Sequence, residues 1–206
     1  MLGTKVLEET ESEFNGHLRV VRSLGLGIYI QSNGLTQSGG IIESIWRSTL
    51  RKIRASRFQI HDVLILGLGG GTVAKIIRKS WPDAKIMGIE IDPLMIGLGK
   101  KYLGLDEIDI DIKIQNAYNY LLIANRYDLI VVDLYNGDKF PKKFETKYYI
   151  QLMRRVLQSK GTIVFNRLYF DRKRPEAIKF GLRLQKIFRK VEYFYPEANL
   201  MLICYN

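Results

Sequence analysis

Two carboxylates and a glycine-rich loop are the residues whose types and spacing suggest chemistry. The loop at residues 67–71 contains four glycines and follows the apolar run VLIL; Glu90 ends the run KIMGIE, and Asp133 follows the run LIVV. Apolar runs of this kind are typical of strands buried on both faces of a parallel sheet. Ligands of such sheets bind beyond the carboxyl ends of the strands. The sequence therefore predicts a ligand site at this edge.

The loop and Glu90 together predict a nucleoside site. Gly67, Gly69 and Gly71 would leave no side chain between backbone and ligand, and amides near the start of the following helix would offer donors. Glu90 lies about 20 residues further on, where an acidic side chain can accept hydrogen bonds from both ribose hydroxyls. A tight turn without a ligand and a surface glutamate at a strand end are the alternatives.

Asn116 follows the third strand-like run and has two readings that do not exclude each other. Its amide could bind an adenine edge, or it could cap the next helix. A dinucleotide would use similar glycine geometry, but nothing downstream suggests hydride transfer, and the loop lacks a phosphate-type G-K-S/T motif. An adenosine compound is the favoured ligand.

Asp133 is the candidate catalytic base. A carboxylate just beyond a buried strand could hold a protonated amine and then accept or relay its proton. The alternative is a loop or capping acid. Asp138 and Glu43 are candidate auxiliary acids, and Tyr135 could wall the pocket, although core packing is the ordinary role of a tyrosine. Gln37 would border the ligand or belong to an ordinary turn.

The elements needed to position these residues can be traced along the chain. Short strand-like runs over residues 5–32 precede a segment of helical periodicity at 41–57. From residue 62, buried strand-like runs alternate with helical segments, and the C-terminus holds two strand-like runs around Pro-Glu-Ala-Asn. This order predicts an α/β fold: a Rossmann-like, mostly parallel sheet with a C-terminal antiparallel hairpin. A small N-terminal β-unit would occupy residues 1–40 and the ligand-binding domain residues 41–206.

Composition narrows the class of protein. The formal net charge is +11, with denser basic runs at 47–57 and 172–174. We interpret this excess as a solvated surface, with nucleic acid as a less favoured partner. No apolar run is long enough to span a bilayer, the acidic N-terminus does not resemble a signal peptide, and the single cysteine, Cys204, provides neither a disulfide nor a metal cluster. We expect a cytoplasmic protein without a bound metal.

These segments together resemble the polyamine aminopropyltransferase family, the spermidine synthases, within the class I S-adenosylmethionine-dependent methyltransferase fold. The resemblance rests on VLEETESEFNGHLRVV, SNGLTQSG, VLILGLGGGT, GIEIDP, YDLIVVDLYNGD and FETKYYIQLMRRVLQSKGTIVFN, in that order. It implies a transferase whose donor is decarboxylated S-adenosylmethionine, or S-adenosylmethionine itself, and whose acceptor is a small amine. Members often dimerise, so a homodimer is a candidate.

The resemblance also implies roles for individual residues. Asp133 would bind and help to deprotonate the attacking amine, and Tyr135 and Asn136 would lie on the acceptor side. The remaining implied residues would bind the donor: Gln37 near its sulfonium end, Gly67, Gly69 and Gly71 along it, Glu90 at the ribose and Asn116 at the adenine.

Several positions depart from the family pattern. Gly70 stands where the family has an aspartate that faces the donor's aminopropyl amine, and Asn136 stands where it has a second aspartate. Asn33 and Asn116 likewise replace acids, and the C-terminal Tyr-Pro segment is shortened. Three hypotheses follow: aminopropyl transfer to a diamine such as putrescine, methyl transfer to an unknown acceptor, and adenosine-ligand binding without catalysis.

Overall fold

The computed structural model describes residues 3–56 and 59–206, which contain two sheets and six α-helices. The first sheet is a four-stranded antiparallel meander in the order β1-β2-β3-β4. Asn15 and Gly16 lie at its first reversal, where Gly16 adopts a positive φ of 64°. Its strands are β1 (Thr4–Ser12), β2 (Gly16–Ser23), β3 (Gly27–Ser32) and β4 (Leu35–Gly39).

The second sheet has seven strands in the order β10-β11-β9-β8-β5-β6-β7. The five strands from β9 to β7 are parallel, while β11 is antiparallel to both β9 and β10. Its strands are β5 (Asp62–Leu66), β6 (Lys85–Glu90), β7 (Asp111–Ile114), β8 (Tyr127–Val132), β9 (Leu157–Leu168), β10 (Lys190–Phe194) and β11 (Asn199–Tyr205).

The helices cover both faces of the second sheet. In the described part of the chain, none of them is long and apolar enough to cross a bilayer. They are α1 (Ile41–Ser56), α2 (Thr72–Ser80), α3 (Pro93–Leu103), α4 (Ala117–Ile123), α5 (Lys147–Arg155) and α6 (Lys173–Leu184).

Burial explains why the strand sequences are so apolar. β5 and β8 lie at the centre of the sheet, and their side chains contribute alternately to two hydrophobic cores, one on each face. Leu64 and Leu66 face the core under α5 and α6, whereas Val63 and Ile65 face the core under α1 and α2. A strand covered on both faces has no solvent side, so it shows no polar alternation.

The predicted fold class is confirmed: an α/β fold with a mostly parallel sheet, a C-terminal antiparallel hairpin and a separate N-terminal antiparallel sheet. α1 matches the segment predicted at 41–57 as far as residue 56, and residue 57 lies outside the described residues. β9 begins at Leu157, earlier than the predicted run at Gly161. The division into units 1–40 and 41–206 stays a prediction.

A buried polar cluster joins the two sheets. The Asp92 carboxylate accepts hydrogen bonds from Ser12 Oγ at 2.5 Å and from Asn15 Nδ2 at 2.6 Å. Its other oxygen accepts from the Leu94 amide at 2.9 Å and so caps the start of α3. One carboxylate therefore anchors the β1–β2 turn at the edge of the second sheet, where Phe14 and Asn15 reach the ligand cavity.

Candidate functional site

A cavity of about 230 Å³ opens at the carboxyl ends of β5, β6 and β8. We call it the donor cavity, after the substrate that the resemblance implies at this edge of the sheet. Gly67, Leu68 and Gly69 form one wall, and Glu90 and Asp133 contribute carboxylates from the two neighbouring strands. The glycine loop and both acids therefore lie together at the edge of the sheet where the sequence predicts a ligand site.

The glycine loop is shaped by positive φ angles and close backbone contacts. Gly67 has φ +86°, and a Cβ built there would lie 2.2 Å from the Asp133 carbonyl oxygen. Gly69 has φ +55°, and a Cβ there would meet Ser38 Oγ at 2.8 Å. Glycine is required at both positions because only it accepts this conformation without steric cost.

The loop amides that precede α2 are engaged within the protein. Gly67 and Leu68 donate to the Ile89 carbonyl at 3.0 and 3.1 Å, and Gly69 donates to Glu90 Oε2 at 2.8 Å. Gly70 donates to Ser38 Oγ at 2.8 Å. The loop therefore offers a ligand bare backbone surface, because its N–H groups hold the loop in place.

Gly70 and Gly71 face away from the donor cavity. A Cβ at Gly70 would meet the side chains of Leu103 and Ile30 at 2.8 and 2.9 Å, and one at Gly71 would meet Leu105 at 2.5 Å. Neither glycine lines the cavity. Apolar side chains thus fill the space beside Gly70, and Leu105 packs closely against Gly71 at the start of α2, while the contact of Gly71 with a donor stays a prediction.

Glu90 lies at the end of β6 and is only 8% exposed. Its Oε1 accepts from the Ile91 and Asp92 amides at 2.8 and 3.0 Å, in addition to the Gly69 amide on Oε2. Burial raises the pKa of Glu90, and the three amide hydrogen bonds oppose that rise. Since a carboxylate has about four acceptor positions, roughly one is left for a hydroxyl in the cavity.

Asn116 has the capping role that the sequence left open, and its contact with an adenine stays a prediction. Its side chain accepts from the Tyr118 amide at 3.0 Å and caps α4, and the residue also lines the donor cavity. Gln115 and Ala117 line the same rim, with Ile91 beside them. This combination of an amide and apolar walls can hold a flat heterocycle.

Asp133 is fixed from two sides. The Trp46 indole N–H donates to Oδ2 at 2.9 Å, and Asn166 Nδ2 donates to Oδ1 at 2.8 Å. Asn166 is itself held by Asn199, whose amide donates to it at 2.7 Å. Burial raises the pKa of Asp133, and the two hydrogen bonds oppose the rise only in part.

A second cavity is also lined by Asp133, and we call it the acceptor cavity after the substrate that the resemblance implies beside this residue. The two cavities adjoin each other along four residues that line both: Gln37, Ile42, Asp133 and Tyr135. Isoleucine side chains from α1 supply its apolar wall, and Glu197 lines this cavity but not the donor cavity.

The other predicted residues occupy the junction between these cavities. Gln37 Nε2 donates to the carbonyls of Leu35 and Gly137, each at 3.4 Å. The Tyr135 hydroxyl accepts from the Leu168 amide at 2.8 Å, and its ring packs edge-on to Phe140. The exposed Asn136 lines the donor cavity.

The candidate auxiliary acids are held in ion pairs elsewhere. Asp138 lies 2.7 Å from Lys173 Nζ, which holds the pKa of that carboxyl below its ordinary value. Glu43 pairs with Arg47 one turn along α1. Neither lines the donor or the acceptor cavity.

Sequence reasoning missed three residues of the site. Trp46 and Asn166 contact Asp133 from 87 and 33 positions away, and no local pattern marks such contacts. Glu197 had a signal, because an acid in a Pro-Glu-Ala-Asn turn next to a terminal strand was visible in the sequence. The structure gives it a positive φ of 53°.

Comparisons with known proteins identify the family. The sequence matches the family model of the spermine/spermidine synthase domain over residues 49–198. It is 28% identical over 109 residues to a polyamine aminopropyltransferase of Vibrio vulnificus, covering 50% of this chain and 36% of that protein. It is 23% identical over 154 residues to the mouse eEF1A lysine and N-terminal methyltransferase, covering 69% and 22% respectively.

A solved structure shows the same fold. The spermidine synthase of Thermotoga maritima superposes with a TM-score of 0.79 at 20% identity, over 98% of this chain and 72% of that one. The chain spans about a third of the length of the Vibrio enzyme and about a fifth of the mouse enzyme. Because the family model covers most of the sequence, the chain belongs to the spermine/spermidine synthase family.

Proposed function

We propose that this protein transfers an aminopropyl group from decarboxylated S-adenosylmethionine to a small diamine. The observation that carries the proposal is the position of Asp133, whose carboxylate lines both the donor and the acceptor cavity. A base at the junction of two cavities can hold the nucleophile of one substrate against the electrophile of the other.

The charges of the two cavities support a cationic donor and a cationic acceptor. The donor cavity is lined by two acids, Glu90 and Asp133, and one base, Lys143. Among its described lining residues the acceptor cavity has Asp133 and Glu197 and no base. The net charge of +11 would repel a polyamine, but the local field at both cavities attracts one.

The proposed reaction is a direct displacement. The amine lone pair attacks the aminopropyl carbon bonded to the sulfonium, the C–S bond breaks with its electron pair going to sulfur, and the amine loses one proton. Asp133 would accept that proton, since its pKa is raised by burial. Glu90 and Asn116 would hold the ribose and the adenine, and the apolar walls would exclude water.

Donor choice is the first test. We expect isothermal titration calorimetry to give about tenfold tighter binding of decarboxylated S-adenosylmethionine than of the intact compound. This tenfold difference in Kd corresponds to about 1.4 kcal/mol. We assign it to placing the donor's extra carboxylate in a cavity lined by two acids and one base. With putrescine present, methylthioadenosine and spermidine should form in equal amounts. Tighter binding of the intact donor, without product from any diamine, would contradict the proposal.

Methyl transfer from intact S-adenosylmethionine is the second candidate, and two observations favour it. Leu103 and Ile30 fill the space beside Gly70, so the acid that the family places there is absent and its place is closed. The start of α2 has no capping side chain and no acid in its first turn, which suits a ligand carboxylate. The product assay described above separates the two candidates. Methyl transfer would leave S-adenosylhomocysteine, whereas aminopropyl transfer would leave methylthioadenosine.

Glu197 should determine how the acceptor's distal amine is recognised. The residue is exposed, makes no ion pair with any described residue and lines only the acceptor cavity. We expect Glu197→Gln to raise the KM for putrescine about tenfold, because one carboxylate contact with an ammonium is lost. The kcat and the donor Kd should stay close to those of the native protein.

A monoamine of the same chain length provides the discriminating control. It has no distal charge, so Glu197→Gln should leave its KM unchanged. Glu176→Gln, an exposed acid outside both cavities, should change neither KM. An equal rise in KM for the monoamine and the diamine would show that Glu197 shapes the cavity without binding an amine.

A further inference from the structure

A third cavity is lined by an excess of positive charge, unlike the donor and acceptor cavities. It has a volume of about 680 Å³ and lies between α6 and the segment that follows β8. We call it the basic groove and define its walls by Lys139 and Lys142 on one side and by Arg172 and Lys179 on the other. Tyr135 lines this groove as well as the donor and acceptor cavities, so the groove adjoins both at this tyrosine.

Charge in the groove is strongly unbalanced. Its lining contains seven lysine or arginine side chains and three carboxylates, an excess of four positive charges. Two of the three carboxylates are already engaged: Asp138 pairs with Lys173 at 2.7 Å, and Glu145 pairs with Arg167 at 2.8 Å and with Arg183 at 3.5 Å. Only Glu176 is left to balance the four wall cations.

The four wall cations are available to a ligand. Lys139, Lys142, Arg172 and Lys179 are exposed, and none of them makes an ion pair with a described residue. They stand on both walls rather than converging on one point. Such an arrangement suits a chain of successive negative charges better than a single anion, because each long side chain can meet a different charge.

The floor of the groove is rigid. The Arg167 guanidinium is almost fully buried and lies over the rings of Phe140 and Phe180, at 4.2 and 4.8 Å from their centroids. Its ion pair with Glu145 fixes its direction. Arg167 is therefore engaged within the protein, and the exposed cations above it supply the binding charge.

The dimensions favour an extended ligand. From Arg172 to Arg183 the α6 wall rises about 16 Å at 1.5 Å per residue. Beyond Arg183 the groove continues into a smaller cavity that adds Lys147 and Lys186. A recessed track of this length follows a flexible polyanion, whereas a flat bilayer surface would not enter it.

We propose that the basic groove binds single-stranded nucleic acid through its phosphates, independently of the transferase reaction. The regular charge of a phosphodiester backbone matches exposed cations on two walls, and the net charge of +11 supplies long-range attraction. The binding is independent of base sequence, because the groove offers cations for phosphates and Arg167 covers the rings of Phe140 and Phe180.

A charge-reversal experiment tests the proposal. Fluorescence anisotropy with a labelled 12-nucleotide oligouridylate should give a Kd that rises at least tenfold in Arg172→Glu/Lys179→Glu. The dependence of log Kd on log salt should also become shallower by about 1 to 1.5, since about two phosphate contacts are lost. Turnover of the small-molecule substrates should not change.

The matched control has the same change in net charge at another place. Lys100→Glu/Lys160→Glu replaces two exposed lysines outside the groove and should leave the oligonucleotide Kd within about twofold of the native value. An equal loss in this control, or no binding by the native protein at 150 mM salt, overturns the proposal. Displacement of the oligonucleotide by polyglutamate at the same charge concentration also overturns it, in favour of an acidic protein partner.

Discussion

Replacing Asp133 by asparagine is expected to lower kcat by about 10²- to 10⁴-fold, the range that a positioned general base contributes. Asparagine has nearly the same shape but cannot accept the proton of the attacking amine. Donor affinity should change far less, because Glu90 and the glycine loop would hold the nucleoside of the donor, and Glu90 is positioned by the Gly69 amide rather than by Asp133. Single-turnover kinetics with both substrates saturating would measure the change.

Asp138→Asn is the matched control for this prediction. Asp138 is also a carboxylate beyond β8, but it pairs with Lys173 and lines the basic groove instead of the donor and acceptor cavities. We expect its kcat to stay within about twofold of the native value. Equal losses in the two variants would remove Asp133 from the role of base.

The same residue should set the acid limb of the pH profile. Burial raises the pKa of Asp133, and the base acts only when ionised, so kcat should begin to fall at a higher pH than an ordinary aspartate would give. Residual turnover of Asp133→Asn should lack this limb. Burial also raises the pKa of Glu90, which affects donor affinity, so kcat must be measured at saturating donor.

Local sequence chemistry predicted the parts of the site that lie at strand ends. An apolar run followed by Gly67, Gly69 or a carboxylate marks the edge of a buried parallel strand, and such edges meet in this fold. Glu90 and Asp133 were therefore visible from their immediate neighbours. Asn116 was visible for a different reason, because an amide before a helical segment can cap it.

Long-range contacts and distributed charge were not visible. The hydrogen bond from Trp46 to Asp133 joins α1 to β8, and the Asn166–Asn199 pair that steadies the carboxylate joins β9 to β11. The sequence shows an excess of positive charge but not its separation into an acidic acceptor cavity and a basic groove on two sides of Tyr135. That separation depends on which helix faces which loop.

The space beside Gly70 illustrates a third limit. The resemblance implied that an acid is missing there, but the sequence did not show that Leu103 and Ile30 close the space. Restoring the aspartate alone would bury a carboxylate among apolar side chains, which costs several kcal/mol without a partner. Side chains of β3 and α3 therefore occupy the space that an acid at position 70 would need.

Gly67 in the glycine loop packs against the main-chain carbonyl of Asp133, and Gly67→Ala should break this contact. A Cβ at position 67 would lie 2.2 Å from the Asp133 carbonyl oxygen, in a residue whose φ is +86°. We expect the free energy of unfolding to fall by about 3–5 kcal/mol, from backbone strain together with the displacement of β8 from β5. Urea denaturation followed by circular dichroism measures this loss.

Gly97→Ala tests whether the effect belongs to position 67 rather than to glycine replacement in general. Gly97 lies exposed in α3, and a Cβ there meets nothing within 4 Å, so alanine should stabilise the protein by about 0.5–1 kcal/mol. A Gly67→Ala protein as stable as the native one would mean that the loop does not pack on Asp133 as described. A different outcome is that Gly67→Ala is unstable, with a fraction that stays folded at low temperature, binds the donor and turns over poorly. The loop would then contribute to catalysis by holding the backbone of Asp133, because alanine adds no reactive group.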